Sequence, residues 1–290
     1  MVPKEYYGRL FTKEQLPVNY HPEALTLESM IKVDKQLRCK RCYSRIEEDW
    51  QLPGGQYYCR ACIVFGRNQE GKELYFFPSK TSEIEFPVLK WFGELTPYQA
   101  KVSEKLLRTY QKQKDSLVHA VTGAGKTEMI YNIVAYVLEN KGHVAIASPR
   151  VDVCRELFLR MKRDFTCSIS LLHAESEPYD GSPLVIATTH QLLKFYQIFD
   201  LVIVDEVDAY PFVGNVMLNH AVEQAKTETG RFIYLTATST LSLEEQVRLG
   251  TLEKHHLARR FHGNPLVLPK FLWQGRLQKS LTRGKLPRPL

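Results

Sequence analysis

Residues 119–128 read HAVTGAGKTE, and residues 201–208 read LVIVDEVD. Together they decide the fold. The first is a loop of the phosphate-binding kind, with Ala120 where the strict G-x-x-x-x-G-K-[ST] pattern has Gly. In such a loop the backbone N–H groups of Thr122, Gly123, Ala124 and Gly125 and the start of the following helix cradle phosphates. Lys126 reaches the β/γ-phosphates, and the Thr127 hydroxyl serves a magnesium ion. Asp205 completes the metal shell, and Glu206 is placed to orient or deprotonate an attacking water. ATP and Mg²⁺ are therefore the expected ligands, with Lys126, Asp205 and Glu206 as the catalytic set.

The setting of both motifs fits the mechanism. SLVHAV (116–121) is an apolar run of strand length before the loop, and EMIYNIVAYVLEN continues after it with helical spacing. LVIV (201–204) reads as a strand buried on both faces, which puts Asp205 and Glu206 at its C-terminal end, where α/β sheets bind ligands. The bland alternative, a Gly-rich turn beside a solvated acidic loop, has to place two independent motifs in these settings by chance.

Upstream and downstream the same alternation continues. ELTPYQAKVSEKLLRTY predicts a helix with Thr96 as its cap and Pro97 in its first turn. HVAIAS, SISLLH, PLVIATT, LVIVDE and RFIYLTAT predict strands; VDVCRELFLRMKRDF, HQLLKFY, GNVMLNHAVEQAKTETG, STLSLEEQVRLG and EKHHLARRF predict helices. The pattern is that of an α/β lobe with a mostly parallel sheet covered on both faces.

Cys39, Cys42, Cys59 and Cys62 form C-x2-C, sixteen residues, C-x2-C, the spacing of a ribbon-type zinc site. Four thiolates leave no open position on Zn²⁺, so the site is expected to be structural. A redox dithiol and free thiols are the alternatives. Cys154 and Cys167 lack a C-x-x-C partner and read as small apolar groups. Around the knuckles stand Arg38, Lys40, Arg41, Arg45, Arg60 and Arg67 with Trp50, Tyr57 and Tyr58. This interleaving suits a nucleic-acid surface. It suits equally a small domain whose aromatics fill its own core.

Composition bounds the rest. The chain has 290 residues, 44% hydrophobic and 24% charged, with net charge +7, a balance that permits a polyanionic partner. No apolar run approaches the ~20 residues of a membrane span, and MVPKEYYGRL lacks a signal-peptide core. A cytoplasmic setting, in which cysteines are thiols or metal ligands, is the expectation. The expected division is 1–35 as an N-terminal extension, 36–70 as the four-cysteine domain and 71–95 as a linker with a strand pair in FFPSKTSEIEFPVLKW. Residues 96–264 form the nucleotide-binding lobe, and 265–290 a basic tail carrying Arg276, Lys279, Arg283, Lys285 and Arg288.

The ordered series Gln99, AVTGAGKT, ASPR (147–150), ATTHQLL (187–193), DEVD (205–208) and TAT (236–238) resembles the first RecA-like lobe of superfamily-2 helicases and translocases. The fold implied is a RecA-like P-loop NTPase lobe preceded by a small zinc-ribbon-type domain. By that resemblance Gln99 reads adenine, and Thr236 and Thr238 couple nucleotide state to the grip on DNA. Ser148, Pro149, Arg150, Thr188, Thr189 and His190 line a single-strand path. VTGAGKTE and DEVD look like the branch that holds the primosomal helicase PriA and the late competence motors. Cysteines ahead of the first motor motif resemble the late competence family, since in PriA they lie within the second lobe.

The resemblance implies an ATP-driven motor on single-stranded DNA, acting in competence uptake at the cytoplasmic face of the membrane in a Gram-positive bacterium. Other proteins of the uptake machinery, including ComFC, are the implied partners, and homo-oligomerisation is left open. The rival readings are a PriA-like replication restart helicase and a non-catalytic module in which ribbon and basic arm hold DNA or a partner. With 52 residues after Thr238, a second lobe of ~100 residues or more is not expected within this chain. Without its arginine, hydrolysis is expected to be slow and little stimulated by DNA.

Overall fold

The computed structural model describes residues 2–81 and 84–260. The N-terminal part is built from β1 (Leu10–Thr12), β2 (Leu25–Glu28), the hairpin β3 (Met30–Val33) and β4 (Gln36–Cys39), and β5 (Glu73–Phe76). β5 pairs antiparallel with both β1 and β2, so residues expected in a linker close a sheet with the N-terminal extension. The strand pair expected in FFPSKTSEIEFPVLKW is absent among the described residues: Phe76 ends β5, and Phe77 and Leu89 make isolated bridges to Tyr7 and Phe165 rather than to each other. Val2, Phe11, Leu16 and Phe77 form a small core under this sheet, with Tyr6 and Tyr20 packed against it.

The β3–β4 hairpin turns at Asp34 and Lys35, whose φ angles of 48° and 64° are the paired positive values of a type I′ turn. It delivers Cys39 to the knuckle from the end of β4, with Met30 opposite it in register.

From Thr96 onward the chain forms the lobe. Its helices are α1 (Pro97–Gln111), α2 (Lys126–Met129), α3 (Tyr131–Glu139), α4 (Val151–Asp164), α5 (Val216–Ala225) and α6 (Leu241–Arg248). Its strands are β6 (Asp115–Ala120), β7 (Val144–Ser148), β8 (Ile169–Leu172), β9 (Leu184–Thr188), β10 (Phe199–Asp205), β11 (Lys226–Thr236) and β12 (Leu252–Leu257). Thr96 caps α1 by accepting from the Gln99 N–H, as its sequence predicts. The seven strands are all parallel, in the order β12-β6-β11-β10-β7-β9-β8.

Alternate residues of each central strand enter two separate cores, which is why these strands read as unbroken apolar runs. Leu201 and Ile203 join Val144, Ile146, Leu184 and Ile186 under α1, α3 and α4. Val202 and Val204 join Ala145, Ala147, Val185 and Ala187 on the other face, in one contiguous cluster with Leu218, Ala221 and Val222 of α5 and the four knuckle cysteines. The knuckle is therefore part of the second face of the lobe. His220 of α5 hydrogen-bonds the Lys40 carbonyl at 3.0 Å and stacks on Tyr43 with ring centroids 5.1 Å apart.

Two expected helices take other forms. HQLLKFY becomes a 3₁₀ turn over Thr189–Lys194. EKHHLARRF holds strand β12, which runs parallel beside β6; Leu252 enters the core on the α5 face and Leu257 the core on the opposite face, while His256 is exposed. The expected end of the lobe at 261–264 and the basic tail lie outside the described residues. Among the described residues, no helix is long and apolar enough to cross a membrane.

Candidate nucleotide site and four-cysteine centre

Parallel register brings the C-terminal ends of β6, β11, β10 and β7 to one edge. Thr236 lies opposite His119, Asp205 opposite Leu235, and Val204 opposite Ala147. β11 separates the phosphate loop from the DEVD segment, so the two motifs face each other across a cleft. Thr122, Gly123, Gly125, Lys126, Thr127, Asp205, Glu206, Asp208 and Arg150 line that cleft, whose volume is about 960 Å³.

The loop holds its shape through two glycines and one glutamine. Gly123 and Gly125 have φ of 78° and 74°, the left-handed region in which a side chain is strained. Gln99 is 5% exposed. Its amide oxygen accepts from the Thr96 N–H and hydroxyl, both at 2.9 Å, and its Nε2 donates to the Ala124 carbonyl at 2.9 Å. The residue assigned by resemblance to adenine thus ties the start of α1 to the phosphate loop. A Cβ on Gly125 would stand 2.3 Å from Gln99 Nε2. Gly125→Ala is therefore expected to combine left-handed strain with loss of that hydrogen bond, about 2 kcal/mol in all. A fall in melting temperature of roughly 4–8 °C would register it, and an unchanged melt would contradict this account of the loop.

Across the cleft, burial pushes the Asp205 carboxyl above the ordinary carboxylate range while the Lys126 ammonium pulls the other way. Asp205 Oδ1 accepts from the Glu206 N–H at 2.9 Å. A half-buried carboxylate facing the same cleft as the Thr127 hydroxyl and the phosphate loop is a donor set that suits a hard divalent cation. Glu206 sits at φ 54°, a left-handed conformation for a residue with a side chain. One of its oxygens, Oε2, is buried without a hydrogen-bond partner, and the other lies 3.5 Å from Arg150 Nη1.

The TAT segment is wired to both motifs. The Thr238 hydroxyl donates to Asp208, Thr236 Oγ1 donates to the Thr238 carbonyl at 2.6 Å, and the Thr238 N–H returns to Thr236 Oγ1 at 3.0 Å. His119 Nε2 donates to the Ala237 carbonyl at 3.1 Å, which links the phosphate-loop strand to the same turn. Only the β6–β11 pairing brings His119 to this turn, so nothing local to its own segment indicates the contact.

Of the six residues assigned to a single-strand path, Ser148, Thr188 and Thr189 are buried. Ser148 and Thr188 are partners across β7 and β9. Arg150 is exposed, and Pro149 and His190 are half-buried, so these three bring their side chains nearer the surface. Arg150 lines the nucleotide cleft, a position the motif series did not indicate.

The Sγ atoms of Cys39, Cys42, Cys59 and Cys62 lie within 4.8 Å of one another, and all four residues are fully buried. Neighbouring sulfurs are 3.5, 3.6 and 3.7 Å apart. A zinc–sulfur bond of ~2.3 Å in a tetrahedron requires sulfurs about 3.8 Å apart, so the cluster fits the ion. Asn68 is buried and donates to Cys39 Sγ at 3.1 Å and to the Ser29 carbonyl at 2.7 Å. Arg41 is also corrected. It is fully buried, with Nη1 on the Gly66 carbonyl at 2.7 Å, and so cannot face nucleic acid. Trp50 and Tyr57 pack on the core, whereas Arg45, Arg60 and Arg67 stay exposed.

A family model for DEAD/DEAH box helicases matches residues 96–246. The chain is 54% identical over 285 residues to competence protein ComFA of Streptococcus pneumoniae (strain ATCC BAA-255 / R6), covering 97% of this chain and 65% of that protein. It is 35% identical over 285 residues to competence protein ComFA of Bacillus subtilis (strain 168), covering 96% of this chain and 62% of that protein. The chain thus spans just under two thirds of the length of these relatives. Among solved structures, the helicase domain of Pyrococcus furiosus Hef aligns with a TM-score of 0.46 at 20% identity, over 58% of this chain and 39% of that one.

Proposed function

Because the chain belongs to the DEAD/DEAH box helicase family, we propose that it carries the ATP-hydrolysing lobe and zinc module of a motor that moves single-stranded DNA during competence uptake. The observation that carries this reading is the convergence of Lys126, Thr127, Asp205 and Glu206 on one cleft, with Thr238 bonded to the last acid of the same DEVD segment. Similarity to the ComFA proteins over nearly the whole chain supports the competence setting.

In this reading residues 122–127 hold the phosphates of ATP, and Thr127 and Asp205 hold magnesium. The ion, when bound, neutralises charge developing on the β- and γ-phosphate oxygens. Glu206 accepts the proton of a water whose oxygen bonds to the γ-phosphorus as the bond to the β–γ bridging oxygen breaks and ADP leaves. Thr236 and Thr238 carry the change at Asp208 toward the DNA-binding edge, where Pro149, Arg150 and His190 stand. Cys39, Cys42, Cys59 and Cys62 hold zinc as a structural ion that completes the second face of the lobe.

The test is ATP turnover by the full-length gene product, with and without single-stranded DNA. Glu206→Gln keeps the shape of the side chain and removes the base, so turnover is expected to fall at least about 10²-fold while nucleotide binding persists. Turnover at the wild-type rate would remove Glu206 from the chemistry and the proposed reaction with it.

A further inference from the structure

Arg150 stands where β7 gives way to α4, and β7 lies beside β10 in the sheet. That adjacency brings its guanidinium to the residue that follows the end of β10, Glu206. The guanidinium is aimed by Asp152, two residues on in the first turn of α4. Arg150 Nε and Nη2 reach the two Asp152 oxygens at 3.2 and 2.5 Å, a planar fork that leaves Nη1 pointing at Glu206 Oε1, 3.5 Å away. Glu206 Oε2 is without a partner, so the carboxylate is engaged on one side only.

From this arrangement we propose that Arg150 is a positioning residue that latches Glu206, and that a nucleic-acid phosphate releases the latch by taking the guanidinium. The inference rests on the reading of the cleft as a nucleic-acid-stimulated ATPase site, with Glu206 as the base. A carboxylate held on one oxygen by a guanidinium is kept from turning toward a water in the cleft, so the latched lobe turns over slowly. Arg150 is 52% exposed along its side chain. Its Nη1, the edge that Asp152 leaves open, is the donor a phosphate oxygen would take, so a single-stranded backbone passing the end of β7 competes directly with Glu206. One side chain thereby connects arrival of the polymer to release of the base. An ion pair of this exposure is weak, which is what a latch opened by a single phosphate contact requires.

The experiment measures ATP turnover by the full-length gene product, with and without a single-stranded oligonucleotide, for wild type, Arg150→Gln, Arg150→Lys and Glu206→Gln. Arg150→Gln is expected to raise DNA-free kcat roughly two- to fivefold, the range set by an exposed pair. KM for ATP should stay unchanged, and the ratio of stimulated to unstimulated turnover should fall toward one. Arg150→Lys, which keeps the charge and loses the fork, should restore part of that ratio. A merely structural role for Arg150 predicts the opposite split, a lower kcat or a higher KM in DNA-free turnover, and that result overturns the latch. So does a stimulation ratio equal to wild type in Arg150→Gln. Glu206→Gln separates the two levels of inference. If it turns over like wild type, the base assignment fails and the latch falls with it, whereas loss of turnover together with an unresponsive Arg150→Gln removes the latch alone.

Discussion

Lys126→Ala is expected to lower ATP turnover by about 10²- to 10³-fold, the usual cost of removing one preorganised donor from a charge-developing transition state. Lys126 opens α2 directly after the left-handed Gly125, so its ammonium faces the cleft that also holds Thr127, Asp205 and Glu206. Among the described residues it makes no hydrogen bond or ion pair to protein, and its charge acts on Asp205 and Asp208 only through space. The substitution therefore removes a ligand-directed charge without unmaking a fold contact, and should stay within the ±0.5 kcal/mol of ordinary surface changes. That corresponds to roughly 2 °C or less in melting temperature for a domain of this size. The paired measurement is steady-state turnover and a thermal melt on the same preparation. Turnover within a few-fold of wild type, in a variant that melts normally, would remove Lys126 from the phosphates and leave the cleft without its principal cation.

Much of this site is legible in the linear chain, for a physical reason. Strands β7, β9 and β10 are covered on both faces and so appear as unbroken apolar runs, and the ends of such strands are where charged and small polar residues must stand. The C-x2-C pairs are equally local, each a turn that presents two sulfurs. What the chain does not reveal is pairing at long range. His220 meets the Lys40 carbonyl 180 positions away, and Asn68 meets Cys39 29 positions away. Periodicity describes which face of an element is apolar and is silent about which partner covers it. Arg41 was misread for the same reason: its surroundings come from Gly66, across the knuckle. β12 does not read as a strand because its two adjacent histidines and flanking charged residues leave only Leu252 and Leu257 apolar, and these enter opposite cores only once the segment lies beside β6.

Cys42→Ser is expected to lower bound zinc from one ion per chain to none, and to destabilise the lobe as well as the knuckle. The first effect follows from the ligand count, since a hydroxyl replaces one of four buried sulfurs that already stand near tetrahedral spacing. Structural zinc contributes about 10–16 kcal/mol to small domains that cannot otherwise bury enough apolar surface. The second effect follows from the packing. The cysteines share one apolar cluster with Leu218, Ala221 and Val222 of α5, and Trp50, Tyr57 and Phe65 lie against it. If the knuckle opens, Leu218 and part of its neighbours return to water at about 1.5–3 kcal/mol for each large side chain. The loss of only two such side chains would lower the melting temperature by on the order of 10 °C. Metal analysis and a thermal melt read the two effects separately, and chelation of the wild-type protein should reproduce the shift without any substitution. Because α5 follows the DEVD segment in the chain, turnover should fall with the melt although no nucleotide-facing residue has changed. A Cys42→Ser protein that still carries one zinc per chain would overturn the four-cysteine centre, and one that loses zinc but melts like wild type would overturn its place in the core of the lobe.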